Sequence, residues 1–376
     1  MSRIGLFVKE ARKWLNLKDP VVFVLGNESC DLDSAVCAVS LAYFYMNTNK
    51  LPDHLLIDGK CRFLPMMNIH RTNLPLKTEV TYFMRKHGID IDDLVCNNEV
   101  SHDLLNVSKF ILVDHHIATP ITASDRVIQI FDHRPLDAKN AHIPNECKSK
   151  IQEVGSCATL IADEIRALEG SFEEHEYLVS FLRGPIVLDT INFSESADKA
   201  RPLDIEINGE IEKSLDSNEE DRLKLFKDLV KARSDVSSLS ALQLLSKDLK
   251  VISNSDKSYV VAIPGFPVLV EDYVKKQNAL ESLRQFGKER NCDILVLMGM
   301  KELETGGIRR DIGLLPLRDT EQTNKVINVL CITNREYLGL TNKTCDLLQG
   351  RLFEQQNVKA SRKQILPIVQ NVLDEN

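Results

Sequence analysis

The sequence predicts an α/β protein, with an N-terminal parallel sheet carrying helices on both faces and a smaller C-terminal α/β domain. Three observations predict it. Short, nearly continuous apolar runs recur at 21–25 (VVFVL), 54–57 (HLLI), 110–113 (FILV) and 127–131 (VIQIF), the form taken by strands buried on both faces. Helical patterns separate the runs, as parallel crossovers require. Acidic and histidine residues follow the runs directly, and the carboxyl ends of strands are where open parallel sheets bind ligands.

At 376 residues the chain is long for one domain, so two are expected. The opening stretch, MSRIGLFVKEARKWLNLKDP, has an amphipathic helical pattern, and Arg3, Lys9, Arg12 and Lys13 interrupt any signal-peptide core. It reads as a mature terminal helix. VVFVL then runs into the turn GNESCDLDS (26–34) and the helix DSAVCAVSLAYFY. FILV ends at Asp114, and VIQIF ends at Asp132 and His133. GSCATLIADEI (155–165) and EYLVSFLRGPIVLDTINF (176–193) complete a first domain placed at 1–205. The stretch 194–222 holds few large apolar residues and much charge, which predicts a linker over 206–226. A second domain, 227–376, carries strand patterns at 259–270, 293–300 and 309–317 and helical patterns near 271–290 and 361–374.

A hydrophobic content of 43% with 27% charged residues describes a globular protein, and no apolar run approaches the roughly 20 residues that span a bilayer. No membrane partner is expected. Nine cysteines, an odd number without a CxxC pair, predict reduced thiols and a cytoplasmic location. A net charge of −8 with a pI near 5.7 argues against nucleic acid polymers as partners, so an anionic ligand must meet local positive charge.

Asn27, Asp31, Asp33, Asp114, His133 and Asp189 all sit on turns or element ends of the first domain. Carboxylate and amide oxygens with one imidazole suit Mg²⁺ or Mn²⁺, and four carboxylates suit two such ions better than one. Two ions sharing a water stabilise displacement at phosphorus. Each residue also has a plainer role. Asp31 or Asp33 alone reads as a helix N-cap, Asp189 as a carboxylate bonded to backbone amides, and His133 as a structural histidine.

Taken in order, GNESCDLDS, FILVDHH, FDHR, VGSCATL, PIVLDTINF and SRKQILP resemble the motifs of the DHH phosphoesterase superfamily, in its prune and exopolyphosphatase branch, over residues 20 to 372. The resemblance implies that Asn27, Asp31 and Asp114 face one divalent cation, and that Asp33, Asp114, His133 and Asp189 face a second, Asp114 bridging them. Asp132 is implied to orient His133, and Lys250, Arg362, Lys363 and Arg71 to bind the substrate. Lys247 fits the Lys250 role equally well, and Arg309 and Arg310 are further candidates. The literal DHH at 114–116 is set aside because the third motif of the family fits 132–134, which leaves His115 and His116 structural.

Two departures from the family bear on chemistry. Asn27 stands where many relatives have His, which shifts preference toward Mg²⁺. Arg134 stands where exopolyphosphatase relatives have His, and an arginine cannot serve as general acid but can clamp a phosphate. The implied function is removal of terminal phosphate from short inorganic polyphosphates, lying between the domains, by a hydroxide activated by two Mg²⁺ or Mn²⁺ ions. Phosphodiesterase action on a cyclic nucleotide such as cAMP, and a low-activity signalling or scaffold role, are the alternatives.

Overall fold

Strand β1 (Val22–Leu25) is buried along its whole length because it lies at the middle of a sheet covered on both faces. The computed structural model describes residues 2–374 except 18, 56–61, 120, 138 and 304–305, and the chain divides into two compact units, Met1–Ser234 and Asp235–Asn376. In the first unit β1 joins β2 (Phe63–Met67), β3 (Val95–Cys96), β4 (Lys109–Val113), β5 (Val127–Asp132) and β6 (Lys148–Ile151) in a parallel sheet of order β3-β2-β1-β4-β5-β6. The chain runs outward from β1 through β2 and β3, then returns to β4 on the other side of β1. The carboxyl ends of β1 and β4 therefore flank a topological switch point, where sheets of this kind open a crevice.

Side chains of β1 alternate between two cores. Val22 and Val24 pack with α2 (Leu32–Asn47), α5 (Cys157–Glu169) and α6 (Glu176–Asp189), while Phe23 and Leu25 pack with α4 (His102–Val107) and with Ala11 of α1 (Arg3–Arg12). The remaining helices of this unit are α3 (Thr78–Lys86), α7 (Pro202–Ser214) and α8 (Glu219–Ser234). Helices thus cover both faces, as the apolar runs predicted.

The second unit holds α9 (Ala241–Lys247), α10 (Val270–Tyr273), α11 (Ala279–Glu289), α12 (Glu321–Asn328), α13 (Arg335–Leu338) and α14 (Arg362–Asp374). Its sheet runs β11 (Leu340–Lys343), β12 (Leu352–Gln355), β10 (Ile308–Pro316), β9 (Ile294–Glu302), β8 (Val260–Phe266), β7 (Asp248–Ser253). Only β8 and β9 pair in parallel in this sheet; its other neighbours are antiparallel.

Two expectations differ from the fold. HLLI was read as a strand, yet Asp53–Leu55 form a 3₁₀ turn, 56–57 lie outside the described residues, and the second strand is FLPMM at 63–67. Pro65 disguises that strand, because proline ordinarily marks an edge. Residues 206–226, expected as a linker, carry most of α7 and the start of α8. These helices need little apolar surface: α7 buries Ile207 and Ile211 against α5 and α6, and α8 buries Leu229 and Ala232 against α3 and α6. The units divide after Ser234.

Candidate functional site

The turn GNESCDLDS is shaped by close approach and by capping. A Cβ on Gly26 would lie 2.7 Å from Ser34 Cβ, so only glycine lets the end of β1 meet the start of α2. Asp31 caps α2, its Oδ1 accepting from Ser34 N at 3.1 Å while Oδ2 accepts from Ser29 Oγ at 3.0 Å. The plainer role of Asp31 therefore holds, and its charge still faces the cluster described next.

Asp33, in the first turn of α2, is buried and held by the start of α5. Ser156 Oγ donates to its Oδ1 at 2.8 Å, Cys157 N to Oδ2 at 2.7 Å and Ala158 N to Oδ1 at 2.9 Å. A helix N-terminus offers unsatisfied donors to a carboxylate. Burial and the charge of Asp31 nevertheless hold the Asp33 carboxyl above its ordinary range, against the lowering by His133, Ser156 and Cys157. VGSCATL carried no assigned role in the sequence; its small residues let α5 begin directly beneath Asp33.

Asp114 follows β4 with a φ of 62°, a left-handed conformation that Asp tolerates and that ends the strand sharply. Its Oδ2 accepts from Asn27 Nδ2 at 2.7 Å and Ser34 Oγ at 2.6 Å. Its Oδ1 is buried without a well-formed hydrogen bond, 3.2 Å from both His133 Nε2 and Arg134 Nη2. Burial, reinforced by Asp33 and Asp31, raises this carboxyl to about 7 despite His133 and Arg134.

His133 decides what the cluster lacks. Its Nδ1 lies 3.0 Å from the Val154 carbonyl, which only accepts, so Nδ1 carries a proton. Nε2 points at Asp114 Oδ1 and, 4.0 Å away, at Asp33 Oδ2. A lone pair aimed at two carboxylate oxygens is repulsive, so Nε2 is either protonated or faces a cation. Burial lowers the imidazole, but its close contact with Asp114 and the charges of Asp33 and Asp114 raise it to about 9. Asp33, Asp114 and His133 each offer a ligand atom within 4.8 Å of the others. Asp189, the last residue of α6, shares the field: burial, Asp33, Asp31 and Asp114 push its carboxyl well up, and His133 draws it down.

Two carboxylates, Asp33 and Asp114, thus meet one imidazole and one guanidinium, while Asp31 and Asp189 act on them through charge; one buried oxygen is orphaned and one imidazole nitrogen has its orientation fixed by a carbonyl. This donor set fits hard divalent ions.

Several expected roles change. Asn27 reaches Asp114 as a donor, and its Oδ1 is taken by Ser29 N and Oγ at 2.8 and 2.7 Å, so ligation requires its amide to turn and give up those bonds. Asp132 orients His116, not His133: its Oδ2 accepts from His116 Nδ1, and Asp137 N donates to His116 Nε2 at 3.0 Å. Fully buried, Asp132 positions neighbours, including Arg134 N at 3.1 Å, and cannot touch a substrate. Arg71 is committed to structure, bonding Glu99 through Nε at 3.2 Å and Nη2 at 2.6 Å and the carbonyls of Ile91 and Leu94. Arg12 joins it on Glu99, and together the two cations outweigh burial and hold that carboxyl down at about 2. Arg134 donates to the Asp114 carbonyl and opens on a hollow of about 470 Å³ lined by Asn27, Ser29, His115 and Thr119.

The second unit has a pocket of about 390 Å³ walled by Lys247, Arg310, Arg362 and Lys363 over Phe266 and Met298. Arg362 pairs with Asp248 Oδ1 at 2.5 Å, and Arg310 Nε donates to Val358 O at 2.8 Å. Lys250 is exposed on edge strand β7 and does not line this pocket; Lys247, at the end of α9, does. Arg309 bonds Glu354 and Glu271 instead. Lys247 ends α9 and Lys250 lies on β7, so the two are separated by a helix-to-strand boundary between 247 and 248.

Fold and cluster define a DHH-type phosphohydrolase, a parallel-sheet domain with carboxylates and an imidazole at its switch point. The DHHA2 domain matches residues 227–372. The chain is 31% identical over 373 residues to human exopolyphosphatase PRUNE1, covering 98% of this chain and 79% of that one. It is 31% identical over 374 residues to the bovine protein of the same name, with the same coverage. A solved exopolyphosphatase-related protein of Bacteroides fragilis aligns over 98% of this chain and 95% of its own, at 11% identity and a TM-score of 0.43. The chain belongs to the DHH phosphoesterase superfamily, in its prune and exopolyphosphatase branch.

Proposed function

We propose that this protein hydrolyses terminal phosphoanhydride bonds of short inorganic polyphosphates with the help of two divalent ions. The observation that carries the reading is His133, whose Nδ1 is pinned to Val154 O while Nε2 faces Asp114 and Asp33. Two Mg²⁺ or Mn²⁺ ions held by Asp31, Asp33, Asp114, His133 and Asp189 would supply Lewis acidity and acidify water for attack at phosphorus.

The side chains supply the rest. Ser156 and the amides of α5 fix Asp33 through both its oxygens, and Ser34 and Asn27 fix Asp114 through Oδ2, so Asp114 presents its Oδ1 and Asp33 the remaining lone pairs of its oxygens without reorganisation. Arg134 is half-exposed and anchored to the Asp114 carbonyl, which leaves part of its fork for a phosphoryl oxygen. It stays charged throughout, so it steadies developing negative charge and transfers no proton. A phosphate leaving group needs little protonation, which is why an anhydride suits this site better than a monoester. The cations around the second unit's pocket favour a phosphate-rich anion as well.

The test is phosphate release from tripolyphosphate and pyrophosphate, beside AMP formation from cAMP, by chelator-stripped protein with Mg²⁺ or Mn²⁺ restored. Release from tripolyphosphate is expected only with metal, and Asp31→Ala and Asp189→Ala abolish it. Release that survives chelation, or both substitutions, refutes the reading. Faster turnover of cAMP than of tripolyphosphate replaces it with phosphodiesterase action.

A further inference from the structure

Immediately after Asp189 the backbone does something costly. Ile191, Asn192 and Phe193 have φ values of 51°, 53° and 59°, three consecutive non-glycine residues in left-handed conformation, the first of them β-branched. A helix end commonly uses one such residue, usually glycine; L-residues avoid it because Cβ crowds the carbonyl oxygen. Strain of this kind persists only where surroundings impose it.

The imposing contacts come from α8. Arg222 Nε donates to Asn192 Oδ1 at 3.1 Å, and its guanidinium lies 5.3 Å from the centroid of the Phe193 ring. Arg222 is itself fixed by Glu212 of α7 at 2.9 and 3.2 Å. Glu212 also accepts from Arg183 Nη2 at 2.7 Å, and Arg183 belongs to α6, two turns before Asp189. Arg183, Glu212 and Arg222 therefore close a ring from the body of α6 through α7 and α8 back to the turn at its end. Backbone bonds complete the clamp, from Asn192 N to Val187 O at 2.8 Å and from Ile191 N to Leu188 O at 3.2 Å. Ile191 is exposed, so packing of its side chain does not account for the conformation.

We infer that Arg222 is a positioning residue for Asp189, holding the left-handed turn at 191–193 that fixes where α6 stops and where its terminal carboxylate points. The inference rests on Asp189 facing a metal, and the test separates the two.

Mn²⁺ is titrated into the chelator-stripped full chain, with free ion followed by electron paramagnetic resonance and stability followed by thermal unfolding. Arg222→Ala weakens Mn²⁺ binding by about tenfold, the loss usual for groups that orient a ligand. Ile191→Gly in that background restores affinity, because glycine adopts the left-handed conformation unaided. If Arg222→Ala does not fold, Phe193→Leu removes only the stacking and still weakens binding. Unchanged affinity in the folded variant overturns the inference, as does a glycine rescue that restores the melting temperature but not affinity. Asp189→Asn is the control: if it weakens binding while Arg222→Ala does not, only this inference falls. Wild-type protein that binds no Mn²⁺ ends both.

Discussion

Gly184 lies inside α6, five residues before Asp189, and Gly184→Ala sets two effects of opposite sign against each other. Helix propensity alone favours alanine by about 1 kcal/mol. The surroundings oppose it. An added Cβ would lie 2.3, 2.6 and 2.9 Å from Phe83 Cζ, Cε1 and Cε2. Phe83 cannot step aside, being fully buried, stacked on Phe181 at 5.5 Å and set against His87 at 4.5 Å. Residue 184 also precedes Pro185, whose ring disfavours helical geometry for a predecessor carrying a Cβ. Overpacking of this kind costs roughly 1–3 kcal/mol and the proline conflict adds to it, so a net loss of about 1–2 kcal/mol survives the propensity gain. For a unit of this size that is a fall of about 2–8 °C in melting temperature, measured by circular dichroism on chelator-stripped protein. Because α6 ends at Asp189, the push along the helix also weakens Mn²⁺ binding. A melting temperature equal to or above wild type refutes the reasoning, since Phe83 would then have yielded freely.

Four further outcomes follow from the same contacts. Burial and the neighbouring Lys86 lower His87 from 6.5 to about 4, so between those values the unfolded chain binds a proton that the fold refuses and stability falls as pH falls. His87→Leu should remove that loss, about 3 kcal/mol by pH 4, and parallel pH–stability curves for the two proteins would contradict it. Arg71→Ala should destabilise the first unit by roughly 1–3 kcal/mol and leave KM for tripolyphosphate unchanged; a raised KM at constant stability would return Arg71 to the substrate. Arg134→His should change kcat more than Mn²⁺ affinity, and identical kinetics would reject its contact with the phosphoryl group. Lys363→Ala should raise KM roughly ten- to a hundredfold with little change in kcat, as expected for loss of one charge-assisted contact of about 1.5–3 kcal/mol, and an unaltered KM argues against the second unit's pocket as an anion site.

The parts legible in the sequence were those where an apolar run gives way within two residues to a polar or charged side chain. β1, β4 and β5 each do so, and their ends carry Asn27, Asp114 and His133. β3 and β6 are too short to show a period, and Pro65 hides β2. α7 and α8 looked like a linker because each contributes only a narrow buried stripe to helices already in place. The partner of Asp132 was not legible either. Asp132 and His133 are neighbours in the chain, but successive strand residues point to opposite faces, and Asp132 turns to His116. Arg71 and Lys250 misled for a common reason: an isolated cation in a sequence does not reveal whether a carboxylate or carbonyls already occupy it, or which way an edge strand turns it.

The switch-point topology also governs biosynthesis. Asn27, Asp31 and Asp33 leave the ribosome with β1, but their partner strand β4 arrives only after β2 and β3 have been made, and Asp189 comes later still. A nascent chain stopped before α6 holds Asp33, Asp114 and His133 with the groups that bond them, but lacks Asp189. On the reading proposed above, the full ligand set is therefore complete only at the closing stage of folding of this domain, when α6 brings Asp189 to the cluster.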